Sequence, residues 1–401
     1  MTNPEPSVTQ RTLWPVLVGV LVIVAIAVGV GAGLAMAGMV GTAAVTPSPA
    51  AMSPSAAGEA SNEPTTEPTL ATPPPSPSPE PTPVLVAAPL TGLPVLQAAA
   101  RQHPIAVMVD DQLDARPQSG FNAASQVWQA PAEGGIPRYL MIFQDALPAA
   151  VGPVRSARQY FIEWAAEWKA MYVHVGGSGQ AMSTLAGVGH GQWVYNADGF
   201  RFEGSGMWRV KDRAAPHNVY SDADHLRAMA VTVGAADGPL TPVWDFGAAM
   251  PLDSRPGGTV ITVKYPYETI TYHYDPATDR YLRYIDGSTT PQVDAADGRP
   301  VAPTNVVILR MRFGPLNDGH PEKKRLEAQD VGSGEAVIST GGRIIHGTWS
   351  KASETAPTLL FGPDGTPVTL AAGQTYVQVI ALSYGYDIVE GTLAGGNRRE
   401  F

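Results

Sequence analysis

The sequence predicts a mixed α/β domain followed by a β-rich domain, with one transmembrane helix ahead of both. Three observations indicate this. Residues 13–40 form a long uncharged segment, apolar runs then alternate with helical patterns, and later segments of alternating polarity recur between turns. The predicted divisions are a short cytoplasmic N-terminus (1–12), a transmembrane helix (13–40), a Pro/Ser/Thr-rich stalk (41–84), an α/β domain (85–238) and a β-rich domain (239–401).

The first predicted element is the transmembrane helix. No charged residue occurs from Leu13 to Val40, and a helix needs only about 20 apolar residues to cross a bilayer. Arg11 precedes this segment and the next charge is Glu59, so the positive-inside rule favours a single-pass protein of the cell membrane, with a cytoplasmic N-terminus and an extracytoplasmic body. The alternative is a signal peptide cleaved near Ala35-Met36-Ala37, but its apolar region usually has only ~7–15 residues.

The segment after the helix is rich in Pro, Ser, Thr and Ala. Between Thr46 and Val84 it has almost no large apolar residue, so it cannot bury enough surface to fold. Pro-rich chains favour polyproline II at ~3.1 Å per residue, and this stalk could hold the following domains as far as roughly 100 Å from the membrane. We interpret it as a spacer through a layer of the cell envelope.

Composition argues against several classes of function. The chain has 0 cysteines, which excludes acylation on cysteine, disulfides, thiolate catalysis and cysteine-bound metals. Its net charge of −10 opposes nucleic acid as a partner, and we interpret the basic run at 323–325 as a solvated loop. The sequence contains no HExxH pair, Walker A motif or dinucleotide fingerprint, so it predicts no metal and no cofactor. Nothing in it indicates the oligomeric state.

The α/β domain is predicted to begin with a strand and a hairpin. The run 103–110 is apolar and ends in two acids, which predicts a buried strand with Asp110 at its carboxyl end. The segments 125–133 and 136–144 flank Gly134-Gly135, a spacing typical of a hairpin.

Two helices and a strand follow. Ser156 is predicted to be the N-cap of the first helix, whose hydrophobic periodicity is clear. The residues of its apolar face are Ala157, Tyr160, Phe161, Trp164, Ala165 and Trp168. Residues 170–175 predict a strand that leads through a glycine turn into a second helix at 179–187.

The second domain is predicted to be built from short strands. Apolar and polar residues alternate between turn signals such as Pro-Asp-Gly and Thr-Gly-Gly. The predicted strand segments are 260–266, 269–275, 280–286, 305–313, 335–340, 341–350, 357–365 and 375–382.

Five polar, glycine-marked segments interrupt the apolar pattern of the first domain. They are DDQLDARPQSG (110–120), APAEGGIPR (130–138), GPVRSAR (152–158), YVHVGGSGQA (172–181) and RAAPHNVY (213–220). Their order and wording resemble the YerB-like family of bacterial extracytoplasmic proteins, as do GTWSK (347–351) and AAGQTYVQV (371–379). The resemblance covers residues 85 to about 382.

The resemblance implies a two-part domain outside the cytoplasm without implying a reaction. Lipid attachment is common among these proteins, and the transmembrane helix would replace it in a chain without cysteine. Relatives usually have Pro-His where this chain has Pro291-Gln292, which argues against a catalytic or metal-binding role at that position.

Arg155 and Arg158 need compensation, because they stand at the start of the predicted helix, where the positive end of the helix dipole disfavours cations. One interpretation is an internal partner such as Asp110, Asp111 or Glu133. The other is a carboxylate or phosphate ligand held by the two guanidinium groups and by helix N–H groups. Further arginines in the same segments, Arg116, Arg138 and Arg213, favour the ligand.

The same segments contain residue types suited to catalysis. Ser178 lies in a strand–turn–helix context that resembles, without matching, a nucleophile elbow. Gly176 and Gly177 beside it either bring backbone N–H groups towards an anion or serve only a tight turn. His174, His217 and Glu133 supply groups for acid–base chemistry, although a histidine on a strand is commonly a hydrogen-bonded core residue.

The leading functional hypothesis is the binding of an anionic cell-envelope component, such as a peptidoglycan carboxylate or a teichoic-acid phosphate. The loops of the five segments should converge at the carboxyl ends of the strands. The predicted ligand-binding residues are Asp110, Arg116, Arg138, Arg155, Arg158, Gly176, Gly177, Arg213 and Asn218. One alternative is an envelope hydrolase or transferase that uses Glu133, His174 or His217, with Ser178 as nucleophile. Another is a structural or interaction module.

Overall fold

A mixed β-sheet of 11 strands runs through residues 83–393, the part of the chain that the computed structural model describes. The predicted transmembrane helix at 13–40, the N-terminus before it and all but the last two residues of the predicted stalk lie outside the described residues. Within residues 83–393, no helix is both long enough and apolar enough to cross a membrane.

The first region of the described chain, up to residue 234, combines strands with short helices. Its strands are β1 (Leu85–Ala87), β2 (Pro94–Leu96), β3 (Ile105–Asp110), β4 (Gln126–Glu133), β5 (Ile136–Phe143), β6 (Met171–His174), β7 (Tyr195–Asp198), β8 (Trp208–Arg209) and β9 (Val219–Tyr220). Its α-helices are α1 (Gln97–Ala100), α2 (Gln159–Ala166), α3 (Gly179–Gly187), α4 (Gly199–Phe202) and α5 (Ala223–Val233). A 3-10 turn spans Leu113–Ala115.

The second region contains strands and two 3-10 turns, Leu252–Ser254 and Pro321–Lys323. Its strands are β10 (Asp245–Gly247), β11 (Val260–Lys264), β12 (Thr269–Asp275), β13 (Arg280–Ile285), β14 (Asn305–Pro315), β15 (Leu326–Gln329), β16 (Gly332–Thr340), β17 (Arg343–Lys351), β18 (Leu359–Phe361), β19 (Thr369–Ala371), β20 (Thr375–Ala381) and β21 (Gly385–Val389).

Strands of both regions form the large sheet. Their order is β18-β17-β16-β14-β20-β4-β5-β3-β6-β7, and β15 pairs with β14. β20 lies between β14 and β4 and is parallel to both, with Val377 opposite Trp128. β5 is antiparallel to β3 and β4, and β6 and β7 run parallel to β3. The carboxyl ends of β3, β4, β6, β7, β14 and β20 therefore lie along one edge.

The two faces of the large sheet bury different partners. On one face, Trp128 stacks on Trp164 of α2 with ring centroids 5.1 Å apart. On the other face, Val127 and Tyr139 belong to the same buried cluster as Ile270 of a four-stranded antiparallel sheet, β13-β12-β11-β21. The large sheet is thus covered by α2 on one side and by the small sheet on the other, and alternate residues of each strand serve the two cores.

A buried ion pair ties α2 to the second region. Lys351 Nζ lies 2.9 Å from Glu167 Oε1, and both side chains are almost completely buried. Glu167 also accepts hydrogen bonds from the backbone N–H of Thr358 (3.1 Å) and from its hydroxyl (2.6 Å). These bonds satisfy groups that would be costly to bury unpaired.

The predicted N-cap of the first long helix is wrong. α2 begins at Gln159 and its N-cap is Arg158, whose side chain makes no capping hydrogen bond. The preceding segment is extended because it pairs with the glycine turn after β6. Ala157 N donates to Gly176 O (2.9 Å), and Ser178 N donates to Ala157 O (3.3 Å). Sequence periodicity does not contain this long-range pairing.

The other predicted elements of the first region are confirmed. β3 ends at Asp110, and β4 and β5 form a hairpin around Gly134-Gly135. The helix predicted at 179–187 is α3, and Ser178 is its N-cap, with Oγ accepting a hydrogen bond from Ala181 N (3.3 Å). The strand-rich second region is also confirmed, with β10, β15, β19 and β21 as additional strands. The domain boundary near residue 239 stays a prediction.

Candidate functional site

Charged side chains gather at the edge of the large sheet where β3 and β4 end and β5 begins. Asp110 is the last residue of β3 and lies directly opposite Arg138 of β5, and Glu133 ends β4. The residues of this arginine cluster are Asp110, Glu133, Arg138, Arg155, Arg158, His217 and Arg325. They come from four of the five sequence segments and from the second region.

Asp110 has two positively chargeable partners. Its Oδ2 lies 2.9 Å from Arg155 Nε and 2.6 Å from His217 Nδ1. Backbone pairing sets this geometry, because Asp110 N donates to Pro153 O (3.0 Å) and Arg155 N donates to Met108 O (2.9 Å). The segment that carries Arg155 therefore extends along the end of β3.

Glu133 is shared by three arginines. Its carboxylate accepts a hydrogen bond from Arg138 Nη2 at 2.6 Å and another from Arg158 Nη2, and Arg325 Nε lies 3.7 Å away. Burial alone would raise the pKa of Glu133, but Arg138 and Arg158 lower it. Burial lowers the pKa of Arg158 to about 10, and the neighbouring Arg138 acts in the same direction. The carboxylate is thus stabilised as an anion and is a poor proton donor.

Arg155 and His217 keep unused hydrogen-bonding capacity in partly exposed side chains. The side chain of Arg155 is 18% exposed, and its terminal nitrogens make no hydrogen bond to the residues that the structure describes. The side chain of His217 is 10% exposed, and within residues 83–393 only its Nδ1 is bonded. Both side chains contact the same oxygen of Asp110, so their free nitrogens belong to one small surface.

Three other predicted ligand-binding residues have structural partners outside this cluster. Arg213 donates to the backbone oxygens of Ala115 (2.7 Å) and Pro117 (2.8 Å) and so holds the loop after β3. Arg116 donates to Asp111 Oδ1 (3.1 Å) and to Glu268. Asn218 Oδ1 accepts a hydrogen bond from Arg209 Nη1 (2.9 Å).

The glycine turn is paired internally. Gly176 N donates to Asp198 Oδ1 (3.3 Å), while its oxygen accepts from Ala157. Gly176 has a φ of +63°, which glycine adopts at little cost. A Cβ on Gly177 would lie 3.0 Å from Met182 Sδ and 3.2 Å from Ala157 Cβ, so close packing explains this glycine. The turn thus serves the pairing of two segments.

Ser178 and His174 do not form a catalytic pair among the described residues. Ser178 is fully buried, and its hydroxyl caps α3. The ring nitrogens of His174 lie 2.8 Å from Gly176 O and 2.9 Å from Asn196 Oδ1. His174 is thus a hydrogen-bonded core histidine. Within residues 83–393, no group of three or more acidic and histidine side chains is placed to hold a metal ion.

A second polar network, which sequence reasoning missed, lies between the two sheets. Gln129 Nε2 donates to Asp111 Oδ2 (2.7 Å) and to Glu268 Oε1 (2.5 Å). Arg283 Nη2 donates to Gln129 Oε1 (2.9 Å) and to Tyr139 OH (3.0 Å). Burial raises the pKa of Asp111, and the neighbouring Glu268 raises it further. These groups hold the sheets together.

The sequence did contain a signal for Arg283. In β13 the buried Tyr281 and Arg283 are two residues apart, and the residues on either side of them are less buried, so Arg283 occupies an inward position. A charged residue in the apolar phase of a strand indicates a buried partner. Gln292 accepts a hydrogen bond from the same Arg283.

The fold is that of a strand-rich protein with two parts, and the arginine cluster contains residues of both parts. Residues 90–236 match the profile described as "Protein of unknown function (DUF3048) N-terminal domain", and residues 261–377 match the corresponding C-terminal domain. The chain belongs to the DUF3048 family. The resemblance to YerB-like proteins found in the sequence is confirmed by a YerB relative that is 31% identical over 299 residues.

The similarity to YerB extends over most of both chains. The chain is 31% identical over 299 residues to the "Putative lipoprotein YerB" of Bacillus subtilis (strain 168), covering 73% of this chain and 86% of that protein. It also resembles the crystal structure of Bacillus subtilis YerB, with a TM-score of 0.66 and 28% identity over 75% of this chain and 99% of that one.

Proposed function

We propose that this protein acts outside the cytoplasm, at the membrane, and binds an anionic component of the cell envelope through the Arg155–His217 surface. The observation that carries the proposal is the guanidinium group of Arg155. Its Nε lies 2.9 Å from Asp110 Oδ2, its side chain is 18% exposed, and its terminal nitrogens make no hydrogen bond to the described residues. A planar guanidinium presented in this way suits a carboxylate or a phosphate.

The charge balance around Arg155 also favours an anion. Four arginines of the cluster are set against three carboxylates, those of Asp110, Glu133 and Asp318. Burial lowers the pKa of Arg155; Asp110 and Glu133 oppose this effect, while Arg138 adds to it. A bound anion would relieve the cost of keeping this cation partly buried.

Support for the location comes from the sequence and from the relative. The uncharged segment at 13–40 and the Pro-rich segment after it favour a body held outside the membrane. YerB carries the name of a putative lipoprotein, a class attached to the outer side of a membrane. An anionic polymer or peptide of the envelope is the ligand class that this location supplies.

Thermal stabilisation of the full-length chain in a neutral detergent tests the proposal. The probes are glycerol 3-phosphate, inorganic phosphate and a peptide ending in D-Ala-D-Ala. A ligand of the native state at 100 times its Kd raises the free energy of unfolding by about 2.7 kcal/mol. We expect Arg155→Gln to weaken binding about 10- to 100-fold, because a hydrogen bond to a charged group contributes ~1.5–3 kcal/mol.

Arg299→Gln is the matched control, because Arg299 is 73% exposed and pairs with Asp297 in the second region. Each variant is compared with its own melting temperature without ligand, so that a loss of stability is not read as a loss of binding. No stabilisation by any of the probes, or an equal response of the parent and Arg155→Gln, contradicts the proposal.

His217 supports a second proposal, an envelope hydrolase. Asp110 accepts at 2.6 Å from His217 Nδ1, which would leave Nε2 to take a proton from an attacking water, with Arg155 beside the developing negative charge. The test is the release of new phosphomonoesters or amines from purified envelope polymers. His217→Gln should abolish release, whereas Ser178→Ala should retain it. Absence of release by the parent protein contradicts this second proposal.

A further inference from the structure

A cavity of about 450 Å3 is formed by the loop that connects β14 to β15 and by the adjoining strand ends. Its walls include three residues that carry or can acquire positive charge, His320, Lys324 and Arg325. The remaining lining is formed by Pro315, Leu316, Asn317, Gly319, Pro321 and Leu326. A cavity of this size is comparable to small ligand pockets.

Arg325 belongs to both the cavity and the cluster. Its Nη1 lies 2.5 Å from Asp318 Oδ2, and its Nε lies 3.7 Å from Glu133 Oε1. Backbone contacts hold the loop against the β4–β5 hairpin. Gly134 N donates to Lys324 O (3.2 Å), and the backbones of Glu133 and Arg325 form an isolated antiparallel β-bridge. The loop is therefore held against the end of β4, and Arg325 links the cavity to the arginine cluster.

Lys324 provides positive charge that the described residues do not neutralise. It ends the 3-10 turn at Pro321–Lys323 with a φ of +49°, a left-handed conformation uncommon for residues other than glycine. Within residues 83–393 its ammonium group forms no ion pair, and the residue is exposed where it lines the cavity. Lys323 next to it is also exposed but does not line the cavity.

We infer that the β14–β15 loop forms a second anion subsite, and that the ligand is a linear oligomer or polymer with at least two negative groups. One group would bind at Arg155 and His217, and a following group in the cavity at Lys324. This inference rests on the proposed function, because the first subsite is the surface proposed there. Repeating phosphodiesters and repeating carboxylates both have the required chemistry.

Ligand length is the variable that tests the inference. Binding of the full-length chain in neutral detergent is measured for glycerol 3-phosphate, for glycerol-phosphate oligomers of increasing length, and for oligoglutamates. We expect the affinity for one oligomer class to rise with length, and the responding class distinguishes phosphodiester from carboxylate. Lys324→Gln should weaken oligomer binding about fivefold, the usual effect of one lysine beside an anionic surface, and leave monomer binding unchanged.

Lys323→Gln is the matched control and should bind like the parent. Equal binding of monomer and oligomers, or an equal effect of the two lysine substitutions, overturns the second subsite. In that case Arg155→Gln still reports on the first subsite, so the two proposals fail separately. Absence of binding by both oligomer classes and by the monomer overturns both.

Discussion

At the scale of single residues, two arginines three positions apart have different environments. Arg155 is 18% exposed and attached to the buried Asp110, whereas the Arg158 side chain is 3% exposed and bonded to Glu133. The sequence offered two roles for the pair, internal partner or ligand anchor. The contacts of Arg158 favour the first role, while Arg155 has a partner and also free nitrogens.

This difference predicts that Arg158→Gln destabilises the fold more than Arg155→Gln does. Breaking a buried ion pair costs about 3–5 kcal/mol, and Arg138 remains to compensate Glu133, so we expect a loss near 3 kcal/mol for Arg158→Gln. Arg155→Gln should cost about 1 kcal/mol, because Asp110 keeps its hydrogen bond to His217.

The measurement is the free energy of unfolding from denaturant titration of the full-length chain. Glu133→Gln is a useful companion, because it removes the other partner of the same pair and should be destabilising for the same reason. Equal and small losses for the two arginine substitutions would show that Arg158 is not an internal partner.

Residue types identified the cluster better than they identified individual roles. Asp110, Glu133, Arg138 and His217 meet as the shared segments suggested, since motifs at the carboxyl ends of neighbouring strands meet at one edge. Arg325 was missed because its basic run resembles an ordinary solvated loop. Its contact with Glu133 depends on the pairing of β15 with β14, which carries no local signal.

At the scale of elements, neither of the two serines near the glycine turn has the role that sequence patterns suggest. Ser156 was predicted to cap α2, but it lies in the extended segment, and its hydroxyl makes no hydrogen bond to a described residue. Ser178 was the candidate nucleophile and instead caps α3. Periodicity located α2 and the strand–turn context located α3, whereas the start of α2 depended on a backbone pairing between distant segments.

These positions predict different sensitivities to alanine substitution. Ser178→Ala should destabilise the protein by about 1 kcal/mol, because loss of an N-cap usually costs ~0.5–2 kcal/mol. Ser156→Ala should change the free energy of unfolding by less than about 0.5 kcal/mol, as expected for a side chain that neither caps a helix nor makes a hydrogen bond to a described residue. The measurement is the denaturant concentration at the unfolding midpoint of each variant, with the same dependence of the free energy of unfolding on denaturant assumed for both. A larger loss for Ser156→Ala would contradict the observed helix start.

At the scale of the whole molecule, strands of the two regions form one sheet, so each region completes the other. Local alternation predicted most strands of the second region. It could not predict that β20 enters the large sheet between β14 and β4, because strand order depends on contacts between residues about 250 positions apart. The buried bonds from Arg283 to Gln129 and from Lys351 to Glu167 also cross between the regions.

This arrangement predicts that neither region folds without the other. A chain that ends at residue 238 lacks β20, so the backbone groups of β4 from Gln126 to Gln129 lose their partners, and β4 becomes an exposed edge with Trp128 beside it. The intact protein should unfold in one cooperative transition. The fragments 1–238 and 239–401 should each lack a cooperative transition or aggregate, and co-expression should restore one folded complex. A fragment 1–238 that melts cooperatively near the temperature of the intact chain would show that β4 and its core do not need β20.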